Sequence, residues 1–577
     1  MNKIQNYISK VLFILPKGQT TSFLIIIFLM LLNTIFELLG IGLIIPFLSL
    51  FFEDTNSKFV ESLAFINHFS NENKILFILF LLLIIFIFKN IFLLFFHKKK
   101  INFSQDLAAL MANKLYVKYI KKNYIYFTNK NSSELIRNIT GEANLFALGI
   151  VFSLIGLMTE TIIFISILSF LFIYNFQASL IVTLTILSFG FLIIFFQQKK
   201  LISWGKVRML HSNAIIKLIQ ETIGNIREII LYNNYNFLIK KFTFHTKENA
   251  IAGKKKDFYF VLPRPILEVV IVMMMIFLVY VFIQNNQSTS EIFIIIGVFS
   301  FASIKLIPAT INILRSLQGL KYNAPSMEKL YEELSNNSDE YQSITNSNLN
   351  NKFKFEELEL KDVCFIYPEK TKMTLTNINL KIVAGEKIGF LGETGSGKTT
   401  LINLISGFFN SNSGEIFINK QLLEKQIKEW QNSIGYVSQN IYLADESFSF
   451  NISFKNPEEE KNIKRINHLI DILGLKNFID TQPEGLETKV GEKGIKISGG
   501  QLQRIGIARA LYSFPDILIL DEATNALDLD TQDNVLNNVF KEMTNKTILS
   551  ISHDVNALKR CTKIFKITNN KLEIVKS

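Results

Sequence analysis

Cysteine is nearly missing from this chain: its 577 residues include two, Cys364 and Cys561, both in the C-terminal half. Two thiols so placed offer no metal-ligand spacing, and in a half expected to face the reducing cytosol no structural disulfide is expected. Cleavable signal-peptide features are not evident either, so the first apolar run is expected to serve as its own signal. Glycine and proline are sparse over 97–145 and 197–264, and Lys and Arg are few or missing in 53–74 and 284–290.

What the chain has in abundance is apolar surface. Hydrophobic residues make up 49% and Phe alone takes 53 positions, with a mean hydropathy of +0.28. The runs TSFLIIIFLMLLNTIFELLGIGLIIPFLSLFF (21–52) and ILFILFLLLIIFIFKNIFLLFF (75–96) each exceed the ~20 residues that span a bilayer core. Further runs fall at about 146–175, 177–196, 265–283 and 291–313, giving six spans. The net charge of +12 could suit nucleic acid, but its distribution suits a membrane. Lys and Arg gather just past span ends, in HKKK (97–100), QQKK (197–200) and GKKK (253–256). By the positive-inside rule those ends, and the N-terminus, lie in the cytoplasm.

The two long inside stretches read as helices that continue past the membrane and turn back, near NKNSSE (129–134) and ETIGN (221–225). Polar residues then mark a linker over 335–352. Beyond it short β-branched strands alternate with helices, which indicates a parallel sheet with helices packed on it. The expected organisation is therefore an α-helical polytopic membrane domain with six transmembrane helices (1–334), a linker (335–352) and an α/β P-loop domain (353–577).

GETGSGKT (392–399) follows the strand KIGFL and opens an apolar helix, the context a Walker A loop requires. Gly392, Gly395 and Gly397 let backbone N–H groups curl around phosphate, and the helix N-terminus adds its dipole. Glu393, Thr394, Ser396 and Thr400 complete this cradle; Lys398 would reach the β- and γ-phosphates and Thr399 would ligate Mg²⁺. ILILD (517–521) places Asp521 at the carboxyl end of a buried strand, where it too would hold Mg²⁺. Glu522 next to it could polarise the attacking water; its bland reading is an acid favoured by a helix N-terminus. ATP and Mg²⁺ are the expected cofactors.

ISGGQ (497–501) resembles the signature of the ABC ATPases. Gln439 in YVSQN resembles the Q-loop, NALD (525–528) the D-loop and His553 in ISHD the switch histidine. Tyr367 resembles the aromatic that stacks on adenine, against the alternative of a plain strand-end aromatic. The resemblance implies that His553 contacts the γ-phosphate. It also implies that Gln439 senses that phosphate, joins the Mg²⁺ ligands and links to the membrane domain. Ser498, Gly499, Gly500 and Gln501 would then complete the site of a second subunit, as in this family. One Walker A and one signature per chain imply a homodimer, with a heterodimer of related chains left open. Ile497 and Asn525 depart from the usual Leu and Ser without removing a catalytic group.

For the cargo, ionisable residues within spans are informative because they are costly in hydrocarbon. Glu37, Lys89, Glu160 and Lys305 interrupt apolar runs. Lys89 and Lys305 each lie about 21 Å from the outer end of their spans, at ~1.5 Å per residue. Doubled in a dimer they would form a basic belt, extended by Arg315 and suited to phosphate or pyrophosphate. The alternative is that they snorkel or pair with Glu37 and Glu160. In SKFVESLAFINHFS (57–70) the apolar Phe59, Leu63 and Ile66 recur at helical spacing, which reads as a short outer amphipathic helix or else a capping loop.

With FTNKNSSELIRNITGE (127–142), LPRPILE (262–268) and KLIPATINILRSLQGL (305–320), these features resemble the PglK- and Wzk-type lipid-linked oligosaccharide flippases. The resemblance implies a bacterial inner-membrane protein whose outer helix engages a polyprenyl tail. Its cavity cations would carry a pyrophosphate-linked glycan across. Where that group tends to use arginines, Lys89 and Lys305 keep the charge without bidentate geometry. Export of lipid A, drugs or other amphiphiles is a rival reading. A peptide exporter is disfavoured because no Cys precedes residue 364 to form a Cys–His peptidase domain. Six spans exclude a nucleic-acid ATPase, and the domain order disfavours an importer.

Overall fold

The computed structural model describes residues 9–16, 18–43, 71–285, 289–335, 353–368, 370–454, 460–491, 494, 497–553 and 555–576. The outer segment bearing Phe59, Leu63 and Ile66 lies outside them, as does the linker beyond residue 335. The chain divides into two compact units, 1–122 with 126–341 and 123–125 with 342–577.

The first unit is helical. Its main helices are α1 (Thr20–Gly42), α2 (Asn71–Ile120), α3 (Phe152–Tyr174), α4 (Phe176–Gly224), α5 (Tyr235–Val261), α6 (Pro263–Gln284) and α7 (Thr289–Ser335). Among the described residues, six helical stretches are long and apolar enough to cross a membrane. Large apolar side chains such as Leu94, Ile173 and Phe191 face outward, as contact with hydrocarbon requires.

At 50 residues α2 is about 75 Å long, far more than a ~30 Å hydrocarbon core needs. α4 is similar and ends at Gly224, with Asn225 leaving helical geometry. α7 runs on to Ser335 through Pro308 and Pro325, beyond the end at 313 that its apolar run suggests, because Leu320, Met327, Leu330 and Leu334 of its second half pack into the core of the unit. Two π-helical turns, Asn138–Glu142 and Leu145–Val151, lead into α3. Arg208 reaches both Glu142 (3.4 Å) and Ser326 (2.8 Å), and Lys329 bridges Glu134 (2.6 Å) and Glu333 (3.2 Å).

The second unit has two sheets. Strands β1 (Glu357–Phe365), β2 (Leu375–Val383), β4 (Ser413–Ile418) and β5 (Gln421–Leu422) form an antiparallel sheet in the order β2-β1-β4-β5. The larger sheet has the order β10-β9-β3-β8-β7-β6. Its members are β3 (Lys387–Leu391), β6 (Ile434–Val437), β7 (Ile517–Asp521), β8 (Thr547–Ser552), β9 (Lys563–Thr568) and β10 (Lys571–Lys576). All are parallel except β10.

Burial on both faces of this sheet explains the unbroken apolar run of β7. Ile517 and Ile519 pack with the helix Lys398–Ile405 and the small sheet, while Leu518 and Leu520 pack with the helices Glu460–Ile472, Gly499–Tyr512 and Leu529–Glu542. Trp430, fully buried, donates its indole N–H to Ile405 O at 2.7 Å. Cys364 and Cys561 are free and buried, and burial pushes the Cys561 thiol up to about 11.

One close approach fixes how α4 meets α7. A Cβ at Gly205 would lie 2.1 Å from Tyr322 O and 3.4 Å from Pro325 Cδ. Gly205→Ala must force these helices apart, an overpacking effect of about 1–3 kcal/mol. A melting temperature several degrees below wild type is expected in detergent; an unchanged one would show that the contact is not tight.

Candidate functional site

The loop 392–397 joins β3 to the helix Lys398–Ile405. Gly395 (φ 85°) and Gly397 (φ 105°) occupy left-handed backbone that residues with a Cβ avoid. At Gly397 a Cβ would also meet Leu375 Cδ2 at 2.9 Å. Lys398 is buried and folds back over the loop, donating to Gly392 O (2.5 Å) and Glu393 O (2.8 Å). Burial holds its pKa below the ordinary value, against the opposing pull of Glu522 and Asp521. Ser396 Oγ is buried without a hydrogen-bond partner among the described residues. A curled loop with an orphaned hydroxyl and an ammonium beneath it fits a polyphosphate.

Asp521 ends β7 and is buried. Burial raises its pKa, and the Tyr436 hydroxyl, donating to Oδ2 at 3.2 Å, partly offsets this. Burial and the Asp521 charge together keep the Tyr436 hydroxyl protonated, so it remains a donor. Sequence reasoning missed Tyr436, which sits in the strand before the Q-loop and carries no motif.

Glu522 has a positive φ of 49°, sparsely populated for a residue with a side chain and worth about 1–3 kcal/mol of strain. Around it three separated segments converge. Gln439 Nε2 donates to Glu522 Oε2 at 2.7 Å, Asn525 Nδ2 donates to the same oxygen at 3.1 Å, and His553 Nδ1 lies 3.5 Å from Oε1. Asn525, which sequence reasoning treats as a mild departure, is thus a partner of the acid. Gln439 and His553 are exposed and Glu522 is half-buried.

Thr399 is exposed at the helix start, whereas Thr400 is buried and shares a hydrogen bond of 3.0 Å with the Tyr367 hydroxyl. Tyr367 stands edge-on to Phe365 (5.1 Å) and Phe409 (5.7 Å), with Lys370 Nζ 5.2 Å from its ring centre. Half-buried, it keeps part of the ring free.

Ser498 caps the helix Gly499–Tyr512 in a reciprocal box with Gln501: Gln501 N donates to Ser498 Oγ (3.3 Å) and Ser498 N to Gln501 Oε1 (2.9 Å). Gly499 and Gly500 lie against Ala526 and Leu527. Among the described residues none of these side-chain hydrogen bonds reaches the loop 392–399.

In the first unit Lys89 and Lys305 meet on one carboxylate. Lys89 Nζ lies 2.7 Å from Glu37 Oε2 and Lys305 Nζ 3.2 Å from Oε1. Lys89 is 1% exposed, so it is paired in the interior rather than free on a cavity wall, while Lys305 is half-buried. Burying a bare ammonium is too costly for the free arrangement. Asn312 donates to Glu160 at 2.9 Å. Arg315 is exposed and lines a cavity, its Nε donating to Phe260 O at 3.3 Å.

Comparison with known proteins agrees with this architecture. Residues 23–304 match the family model of the ABC transporter transmembrane region and 375–525 that of the ABC transporter. The chain is 25% identical over 474 residues to an ATP-dependent lipid A-core flippase of Cupriavidus metallidurans, covering 80% of this chain and 77% of that one. It is 36% identical over 219 residues to one of Wigglesworthia glossinidia brevipalpis, where the match spans only 37% of each. A bacterial Atm1-family ABC exporter solved with ATP bound has the same fold, with a TM-score of 0.81 at 17% identity, covering 96% of this chain and 95% of that one. The chain belongs to the ABC transporters and has the exporter fold, a multi-pass membrane protein of the class that couples ATP hydrolysis to transport.

Replacing the acid at the meeting point of Gln439, Asn525 and His553 separates binding from turnover. Glu522→Gln is expected to lower ATPase activity by about 10²-fold or more while ATP still binds. ATPase assays beside nucleotide-binding titrations check this, and turnover near the wild-type rate would remove Glu522 from the chemistry.

Proposed function

We propose that the chain, as a homodimer, flips a polyprenyl-pyrophosphate-linked oligosaccharide from the inner to the outer leaflet of a bacterial inner membrane. The ATP-binding domains would lie on the cytoplasmic side. The observation that carries this reading is the surplus of cations inside an apolar unit: Lys89 and Lys305 share the single carboxylate of Glu37, and Arg315 opens onto a cavity. An interior with net positive charge suits an anionic head group better than a neutral amphiphile. In the same reading Phe59, Leu63 and Ile66 engage the polyprenyl tail.

In the ATPase cycle the segment 392–400 and Tyr367 would hold ATP, and Thr399, Gln439 and Asp521 would hold Mg²⁺, which neutralises phosphate charge when bound. Glu522 would orient the attacking water and His553 the γ-phosphate. The helix opened by Ser498 would present its N–H groups to the nucleotide of the partner subunit, which is why two chains are needed.

A second reading, transport of a lipid A-type glycolipid, is favoured by the names of the relatives. Reconstituted proteoliposomes distinguish the two. Fluorescent polyprenyl-pyrophosphate glycan should become accessible in the opposite leaflet in an ATP-dependent manner, several-fold above the Glu522→Gln control. Movement of a lipid A probe alone would replace the first reading with the second.

A further inference from the structure

A cavity of about 470 Å³ opens in the membrane unit between α2, the approach to α3, α5 and α7. That volume lies in the range of ligand pockets, roughly 300–1,000 Å³. His97, Lys100, Lys256 and Arg315 line it against one carboxylate, Glu160. Most of these charges are spoken for. Lys256 pairs with Asp257 at 2.8 Å, Arg315 donates to Phe260 O, and Glu160 accepts from Asn312.

Lys100 differs. It is 7% exposed, and its ammonium lies 3.9 Å from the centre of the Phe152 ring. Among the described residues that ammonium has no hydrogen-bond acceptor and no carboxylate within ion-pair distance. An ammonium carries three donors, and a ring face satisfies its charge only in part. A buried cation left this way, facing an open cavity, is arranged to be completed by an acceptor from outside.

The space in front of it is kept clear by the absence of side chains. A Cβ at Gly156 would lie 3.2 Å from both Lys100 Nζ and Ser316 Oγ. The π-helical turn Leu145–Val151 brings Leu145, Leu148 and Gly149 to the same wall, and such turns gather at functional sites. Lys100 lies about 38 Å along α2 from Ile75, at ~1.5 Å per residue, beyond a ~30 Å hydrocarbon core. That is head-group level at the far leaflet, whereas Lys89 and Lys305, about 21 Å along their spans, lie within the hydrocarbon core.

We propose that Lys100, with Phe152 behind it and Gly156 leaving it room, forms a loading subsite for the phosphate or pyrophosphate of a lipid head group. This rests on the reading of the chain as a flippase of anionic lipids and assigns the first contact of that cargo to a residue distinct from the Glu37 cluster.

The test uses the full chain in neutral-lipid nanodiscs, with four probes: polyprenyl pyrophosphate, bis-phosphorylated lipid A, uncharged polyprenol and inorganic pyrophosphate. Lys100→Gln is expected to weaken binding of polyprenyl pyrophosphate about tenfold, Lys100→Arg to restore part of it, and Gly156→Leu to mimic the loss. Polyprenol binding should not change. If only lipid A binding depends on Lys100, the subsite stands and the polyprenyl reading falls. Inorganic pyrophosphate binding as tightly as either lipid would overturn the lipid source. Equal affinity of wild type and Lys100→Gln for both phosphorylated lipids would overturn the subsite. Should the variants fail to fold, acetylation of wild-type Lys100 read by mass spectrometry decides. Protection by a phosphorylated lipid supports the subsite, and equal labelling with and without it refutes the subsite.

Discussion

Hydrocarbon gives an ion no solvation, so a charge at hydrocarbon depth persists only where the protein supplies its counter-charge. Glu37 does this for two helices at once, taking Lys89 from α2 on one oxygen and Lys305 from α7 on the other. Gly40, one turn along α1, leaves space beside Lys89 and Phe86, so the ammonium also sits 4.6 Å from an aromatic ring centre. Breaking such a buried cluster from one side costs about 3–5 kcal/mol, because the remaining charge is stranded. The three helices are therefore held at this depth by a polar contact that apolar side chains alone would not specify.

The ATP-binding unit meets the opposite condition. The residues of its candidate site are held in strained or incomplete arrangements. Glu522 follows a fully buried strand and is forced into left-handed backbone, which turns its carboxylate toward Gln439, Asn525 and His553. Lys398 accepts burial in exchange for two backbone carbonyls of its own loop. Ser396 keeps an unmet hydroxyl. Each group is provisionally satisfied in a way that a phosphate chain could replace.

Which of this could be read from the sequence depended on distance along the chain. The loop 392–399 is contiguous, so its spacing alone indicated its geometry. Gln439, Glu522 and His553 lie some eighty and thirty residues apart, and only family resemblance placed them together. Lys89 and Lys305 were visible as breaks in apolar runs, yet their pairing with Glu37 depends on helix rotation, which a run of Leu, Ile and Phe does not encode. Lys100 was hidden in HKKK, where three lysines past a span look alike; packing buries the third and exposes Lys98 and Lys99. The π-helical turns before α3 were invisible too, since a 3.6-residue period cannot reveal where a helix widens.

An anion can cross an apolar unit only where its charge is never left bare. The medium excludes bare charge rather than net charge. Two lysines on one carboxylate carry a surplus positive charge that is never unsolvated, because each ammonium touches an oxygen. Nearer the end of α2, Lys100 has a ring face in place of an oxygen and lines an open cavity. Cation pairing thus becomes more complete as the depth of the residue increases. An anion following that order would exchange one partial partner for another and would meet positive potential at each level. It would not have to break the Glu37 cluster in order to enter.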